Sequence, residues 1–167
     1  LEGSAGKDLR YTVRNVEKKG YRFEIVPPEE VTALIPELKK VSDAWLEIKT
    51  GKEMRFSVGF FDEKYLSNFP LALVRNDEEI VAFANLWAGG DGEELSVDLM
   101  RYGSTAPDRT MEYLFIKLML WGKENGYGRF SLGMAPLSGL EKRQFAPLWH
   151  KVGSLIFANG DYIYNYK

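Results

Sequence analysis

A chain of 167 residues, 45% hydrophobic and 28% charged, is sized for one domain, or one domain plus an arm. Folding would bury roughly 70% of the surface its unfolded chain exposes. It has no cysteine, which excludes disulfides, thiolate nucleophiles and cysteine-metal sites, and its single histidine, His150, excludes a multi-histidine metal centre. The formal net charge of -2 argues against a wholly basic nucleic-acid binder while allowing a local basic patch, and no apolar run reaches the length of a membrane span.

Residues 1–8 begin without an initiator methionine and read as linker or junction residues, so a piece of a larger protein is expected. Leu9, Val13 and Val16 fall at helical steps in the basic stretch Lys7 to Lys19, and Gly20 ends it. The lysines and arginines of this helix suit phosphates of RNA or lipid, or equally a solvated face joining two domains. Tyr21 to Val26 alternates as a strand and stops at Pro27-Pro28. Glu29 to Thr50 is a second helix, with Val31, Leu34, Ile35, Leu38, Val41, Trp45 and Ile48 as its stripe. Pro36 inside it implies a kink or a later start. Asp62 to Asn68 suits one helical turn. Leu71 to Arg75 and Glu79 to Trp87 are strands of a hairpin around Asn76-Asp77-Glu78, and residues 89–92 make a second tight turn.

The chain is organised around Glu94 to Met134. Leu95, Val97 and Leu99 alternate with Ser96, Asp98 and Met100, as in a strand. The pattern stops after Arg101. From Thr110 the period changes: Met111, Leu114, Phe115, Leu118, Met119 and Gly122 mark one helical face, widened by Ile116, Leu120 and Trp121, up to an Asn125-Gly126 cap. Residues 130–134 resume as a strand. Strand, helix and strand of these lengths form a βαβ unit with parallel strands. Beyond it, Pro147 starts a helix ending at Gly160, and residues 162–166 are a last strand. This order is that of the GNAT acyltransferase fold. The expected class is therefore α+β, with a mixed, mostly antiparallel sheet flanked by helices, whose central strands splay apart to admit the donor.

The chemistry-bearing residues narrow the reading. Acetyl-CoA enzymes cradle a pyrophosphate on a glycine-rich loop at a helix N-terminus. The corresponding loop here, Arg101 to Arg109, holds Gly103 but no Gly-x-Gly, and Pro107 removes a donor, so an ordinary acyl-CoA is not the expected donor. Asp98 is a candidate base or a ligand for an amino group, and with Arg101 it equally suits a plain strand-edge ion pair. On a flat strand Asp98 and Arg101 point to opposite faces, and a bulge or strand end is needed to bring them together. Arg109, Lys142, Arg143 and Lys151 suit phosphates or a solvated surface. His150 reads as surface or packing, and Trp45, Trp87, Trp121 and Trp149 as core. Ser131, Ser138 and Ser154 lack a histidine–acid constellation, which disfavours a serine hydrolase.

The run SVDLMRYGSTAPDRTMEYLFIKLMLWGKENGYGRFSLGMAPLSGL, with APLWHKVG and YIYNY after it, resembles the C-terminal synthase region of the bacterial MprF/FmtC family of phosphatidylglycerol lysyltransferases, the oxacillin-resistance-related proteins. The likeness runs from Leu9 to Tyr166, and VDLMR, MEYLF and LGMAPLSGL are its specific marks. It implies an enzyme at the cytoplasmic face of the bacterial plasma membrane, with a transmembrane region and a synthase of two GNAT-like halves. That synthase moves lysine, or alanine in relatives, from aminoacyl-tRNA to a glycerol hydroxyl of phosphatidylglycerol, with resistance to cationic antimicrobial peptides as the outcome. It implies no cofactor, aminoacyl-tRNA being the co-substrate. Residues 9–20 match the connecting helix and residues 21–167 the second half. The family's acid and arginine fall on Asp98 and Arg101 as catalytic residues. Tyr102, Arg109, Glu141, Lys142 and Arg143 are the expected substrate-binding residues. Two departures stand out: the first half is missing, and the family's lysine-rich segment past YNY is not present, so weak or no activity is expected of this chain alone. Competing readings are a GNAT-type transferase acting on a soluble amine or peptide, and a tRNA- or lipid-binding half-domain.

Overall fold

The computed structural model describes Gly3 and residues 6–48, 60–90 and 92–132, all within one compact unit, Leu1–Leu132. The segments expected as the last helix and strand lie outside the described residues. In order the elements are α1 (Lys7–Lys18), β1 (Arg22–Val26), α2 (Pro28–Ile48), α3 (Glu63–Leu66), β2 (Leu71–Arg75), β3 (Ile80–Ala88), β4 (Glu94–Tyr102), α4 (Thr110–Glu124) and β5 (Arg129–Ser131). The strands form one sheet in the order β1-β2-β3-β4-β5. The first four are antiparallel neighbours, and β4 and β5 run parallel across α4. This is the mixed α+β architecture expected. No described helix is long and apolar enough to cross a membrane.

Local chemistry sets the element ends. α1 and α4 both close in a Schellman motif. Gly20 (φ 86°) donates to Glu17 O and Tyr21 to Val16 O; Gly126 (φ 86°) donates to Lys123 O and Tyr127 to Gly122 O. Both glycines adopt the left-handed backbone that other residues resist. Asn76 shapes the β2–β3 turn by accepting Glu78 N–H and Glu79 N–H on its side chain, at 2.9 and 2.8 Å. α2 runs continuously through Pro36, which is exposed on its outer side.

The sheet is covered on both faces. On one face α1 and α4 pack Val16, Tyr113, Leu114 and Leu118 over Val97 and Leu95. On the other, α2 and α3 pack Leu38, Val41 and Leu66 over Leu73, Phe83 and Leu99. α1 therefore contributes to the core through fully buried Val16. Gly122 lets α4 approach β4: a Cβ there would stand 3.3 Å from a Leu95 methyl. Three expected core side chains are exposed instead. Ile48 (44%) lies beyond the last buried turn of α2, Met119 (45%) points off the packed face of α4, and Trp87 (46%) stands where β3 outruns its cover.

Candidate active site

The site is made by an irregularity in β4. Residues 82–84 of β3 pair with Tyr102, Arg101 and Met100, whereas residues 86–88 pair with Val97, Ser96 and Leu95. Asp98 and Leu99 therefore both stand opposite Asn85, a β-bulge with two residues against one. Before the bulge, Leu95 and Val97 face α1 and α4; after it, Leu99 joins the α2 core while Met100 and Tyr102 turn to the α4 side. The bulge places Asp98 and Arg101 on one face, the side of α2 and α3, and so meets the condition that a flat strand fails.

Around Asp98 the same face supplies partners. The Tyr65 hydroxyl, on α3, donates to Asp98 Oδ2 at 2.7 Å, and the Trp87 indole N–H donates to the Tyr65 oxygen at 3.1 Å. Tyr65 is placed by Asp62, which caps α3 by accepting Tyr65 N–H at 2.8 Å. Burial, and then the Asp98 carboxylate, push the Tyr65 phenol above its ordinary value; the Trp87 and Asn85 side chains beside it pull the other way. Tyr65 is thus protonated at neutral pH and donates to the acid. Arg101 is 7% exposed and lies 4.0 Å over the Trp45 ring of α2. Next to Tyr65, Phe69 stacks on Trp87 at 5.9 Å, and with Pro70, Leu86 and Ala88 they line a groove of about 500 Å³.

β5 pairs with β4 over Glu94–Ser96, against Arg129–Ser131. The loop that follows β4 directs several of its amides inward: Gly103 N–H bonds Val81 O, Ala106 N–H bonds Gly103 O, and Thr110 N–H bonds Pro107 O. Those three amides are already taken by protein carbonyls.

The remaining expected site residues scatter. Tyr102 is half-buried on the opposite face, packed against the α1/α4 core. Arg109, at the N-cap of α4 with φ 66°, is held by carboxylates. Its Nη1 donates to Asp8 Oδ1 at 3.0 Å and its Nε to Glu112 Oε2 at 2.7 Å, and its Nη2 also reaches Asp8. The structure does not bring Tyr102 or Arg109 to the Asp98 face. Glu141, Lys142 and Arg143 lie outside the described residues, as do His150 and Trp149. Sequence reasoning missed Tyr65, Asn85 and the partner role of Trp45. The one local signal was the polar Asn85 inside an otherwise apolar strand.

The family model for the C-terminal part of phosphatidylglycerol lysyltransferase matches residues 1–167. The chain is 42% identical over 169 residues to a phosphatidylglycerol lysyltransferase of Bacillus subtilis, covering 100% of this chain and 19% of that protein. It is 34% identical over 166 residues to the Staphylococcus aureus (strain COL) protein of that name, covering 99% and 20%. The chain thus spans about a fifth of the length of these curated relatives. Among solved structures it is similar to a C-terminal domain assigned to a lysylphosphatidylglycerol synthetase from Agrobacterium fabrum, with TM-score 0.81, 36% identity and coverage of 99% of this chain and 49% of that one. It is also similar to L-PGS from Bacillus licheniformis, with TM-score 0.76, 41% identity, and coverage of 92% and 48%. An aminoglycoside acetyltransferase from a soil metagenome, at TM-score 0.51 and 9% identity over 86% of this chain and 88% of that one, shares the fold alone. Matched along its whole length, the chain belongs to the phosphatidylglycerol lysyltransferase C-terminal family.

Proposed function

We propose that this chain is the acyl-transfer part of an enzyme that moves lysine, with alanine as the alternative, from aminoacyl-tRNA to a glycerol hydroxyl of phosphatidylglycerol. The parent enzyme then works at the cytoplasmic face of a bacterial membrane, and its product lowers the affinity of that surface for cationic peptides. The observation that carries the reading is the bulge that sets Asp98 and Arg101 on one face of the sheet. Family membership supports the substrate class.

The reaction exchanges one ester for another. The lipid hydroxyl attacks the aminoacyl carbonyl carbon and gives its proton to the Asp98 carboxylate. The tetrahedral oxyanion collapses by breaking the bond to the terminal ribose oxygen, which takes a proton back and leaves as the free hydroxyl. Tyr65 orients Asp98 through its 2.7 Å bond. Arg101, steadied on Trp45, supplies positive charge on the same face. No cofactor takes part in this scheme, and Glu141, Lys142 and Arg143 are assigned to substrate binding by the family likeness. Arg109 is assigned to holding α1 on α4, because two carboxylates already occupy its guanidinium.

The test is transfer of radiolabelled lysine from Lys-tRNA to phosphatidylglycerol vesicles. It compares this chain with a longer form matched to its curated relatives, each with and without Asp98→Ala. Activity that vanishes with Asp98→Ala is expected; full activity of that variant sinks Asp98 as the acid–base group. Turnover of acyl-CoA with a soluble amine, and none with Lys-tRNA or Ala-tRNA, replaces the reading with an ordinary GNAT transferase.

A second reading has its own observation. α1 sorts its charges: Asp8 pairs with Arg109 and Glu17 with Lys117, whereas Lys7, Arg14, Lys18 and Lys19 are exposed. A basic outer stripe of this kind suits tRNA or anionic lipid. Salt-dependent binding without turnover in the longer form would make the chain a binding half-domain.

A further inference from the structure

A bulge leaves the backbone of its extra residue without a ladder partner, and a buried unpaired amide is costly. Here the Leu99 N–H is met by a side chain, donating to Asn85 Oδ1 at 2.6 Å. Asn85 is fully buried and sits on β3 opposite the bulge. Its strand is otherwise apolar from Ile80 to Leu86, and an aliphatic residue would pack there without the cost of burying an amide. What an aliphatic residue lacks is an acceptor for Leu99.

The acceptor decides which way Asp98 faces. If the register of Ala82–Tyr102, Phe83–Arg101 and Ala84–Met100 ran on unbroken, Asp98 would take the face of Met100 and Tyr102. That face belongs to the apolar core under α1 and α4. A slip of one residue exchanges the two faces of a strand, so the acid would leave Tyr65 and Arg101 together. The Asn85 side chain also lies beside the Tyr65 phenol.

We propose that Asn85 is a positioning residue whose side-chain carbonyl holds the Leu99 amide, fixes the β4 bulge and thereby keeps Asp98 on the face of Arg101. The proposal rests on the reading of Asp98 as the site acid. The test pairs amide exchange at Leu99, measured on this chain, with lysine transfer by the longer form. In Asn85→Leu, loss of the acceptor is expected to speed Leu99 exchange by about tenfold or more. Displacement of the acid should lower kcat by about a hundredfold, with KM for phosphatidylglycerol within about twofold. Asn85→Asp keeps an acceptor at the same place, and its Leu99 exchange should stay within about threefold of the parent. Unchanged Leu99 exchange or unchanged kcat in Asn85→Leu overturns the proposal. Should Asn85→Leu not fold, Asn85→Asp decides: an unprotected Leu99 amide in that variant also overturns it. Full activity of Asp98→Ala would instead remove the site reading while the Leu99 exchange still judges the pin.

Discussion

The Tyr65 hydroxyl donates to Asp98 Oδ2 at 2.7 Å across 33 residues of chain, and it joins a four-residue helix to β4. Because the Trp87 indole donates into the same phenol oxygen at 3.1 Å, the phenol proton is directed at the carboxylate. Tyr65→Phe deletes that donor and leaves the indole without its acceptor. The expected loss of stability is about 1 kcal/mol. The expected fall in transfer rate is about 10- to 100-fold, because an acid that is no longer oriented meets its proton less often in line. Thermal unfolding and kcat measured on the same preparation check both. A variant with the parent rate shows that Asp98 needs no such orientation.

Arg101 over Trp45 makes a second prediction. The guanidinium lies 4.0 Å from the ring centroid and is nearly buried, a geometry worth about 0.5–2 kcal/mol. Trp45→Leu keeps an apolar surface but removes the π face. Transfer should fall about tenfold or more, with only a modest change in the denaturant midpoint. A Trp45→Phe variant should recover part of the rate, since a smaller ring still attracts the cation. Equal rates for the Leu and Phe variants would show that the ring's charge distribution has no part in placing Arg101.

Much of the frame was legible in the sequence, and the site much less so. The change of period at Thr110 and the Asn125-Gly126 stop located α4 to the residue, since a Schellman cap requires its glycine. The alternation in Glu94–Tyr102 located β4. That alternation survives the bulge because both faces of the sheet are covered: Leu95, Val97, Leu99 and Arg101 are all buried, although the first two face α4 and the last two face α2. Apolar periodicity records burial and not which face is buried, so the phase change at Asp98–Leu99 left no trace. Tyr65 was equally hidden, because its partner comes from tertiary packing and no local pattern marks it. Trp87 misled for the opposite reason: a large apolar side chain on a strand reads as core, yet its indole is held at the surface by Tyr65 and Phe69.

Alkaline titration tests two phenols, one buried and one half-buried. Tyr113 is 1% exposed, and burial, with the Glu17 carboxylate beside it, raises its phenol well above the ordinary value of 10.0. Tyr65 is raised in the same direction. A raised folded value means that the folded state keeps its proton where the unfolded chain has released it. The stabilising contribution is whole below pH 10 and is lost as pH rises through the folded values. The urea midpoint should therefore fall from about pH 10 upward. Tyr113→Phe should be less stable near neutrality but show a shallower fall. Parallel pH profiles for parent and variant would show that Tyr113 titrates alike in both states.

Arg109 separates a structural clasp from a substrate contact. Its guanidinium binds Asp8 of α1 and Glu112 of α4 together, and Thr12 adds a hydroxyl donated to Glu112 at 3.2 Å. The Arg109 bonds hold the Asp8 carboxyl below its ordinary value of 3.8. A depressed carboxyl contributes stability above its unfolded value, and that contribution is lost as pH falls through the folded one. The clasp should therefore weaken as pH falls below the ordinary 3.8 of Asp8 and be lost only through its lower folded value, with faster amide exchange in the first turn of α1. Arg109→Ala should give the same exchange pattern at neutral pH, leaving kcat and KM for Lys-tRNA and for phosphatidylglycerol within about twofold. A phosphate contact gives a different outcome: KM for one substrate rises severalfold, salt dependence weakens, and the exchange of α1 stays unchanged. Asp8→Asn completes the comparison. It disturbs the clasp without removing the arginine, so a clasp makes the two variants alike and a substrate contact sets them apart.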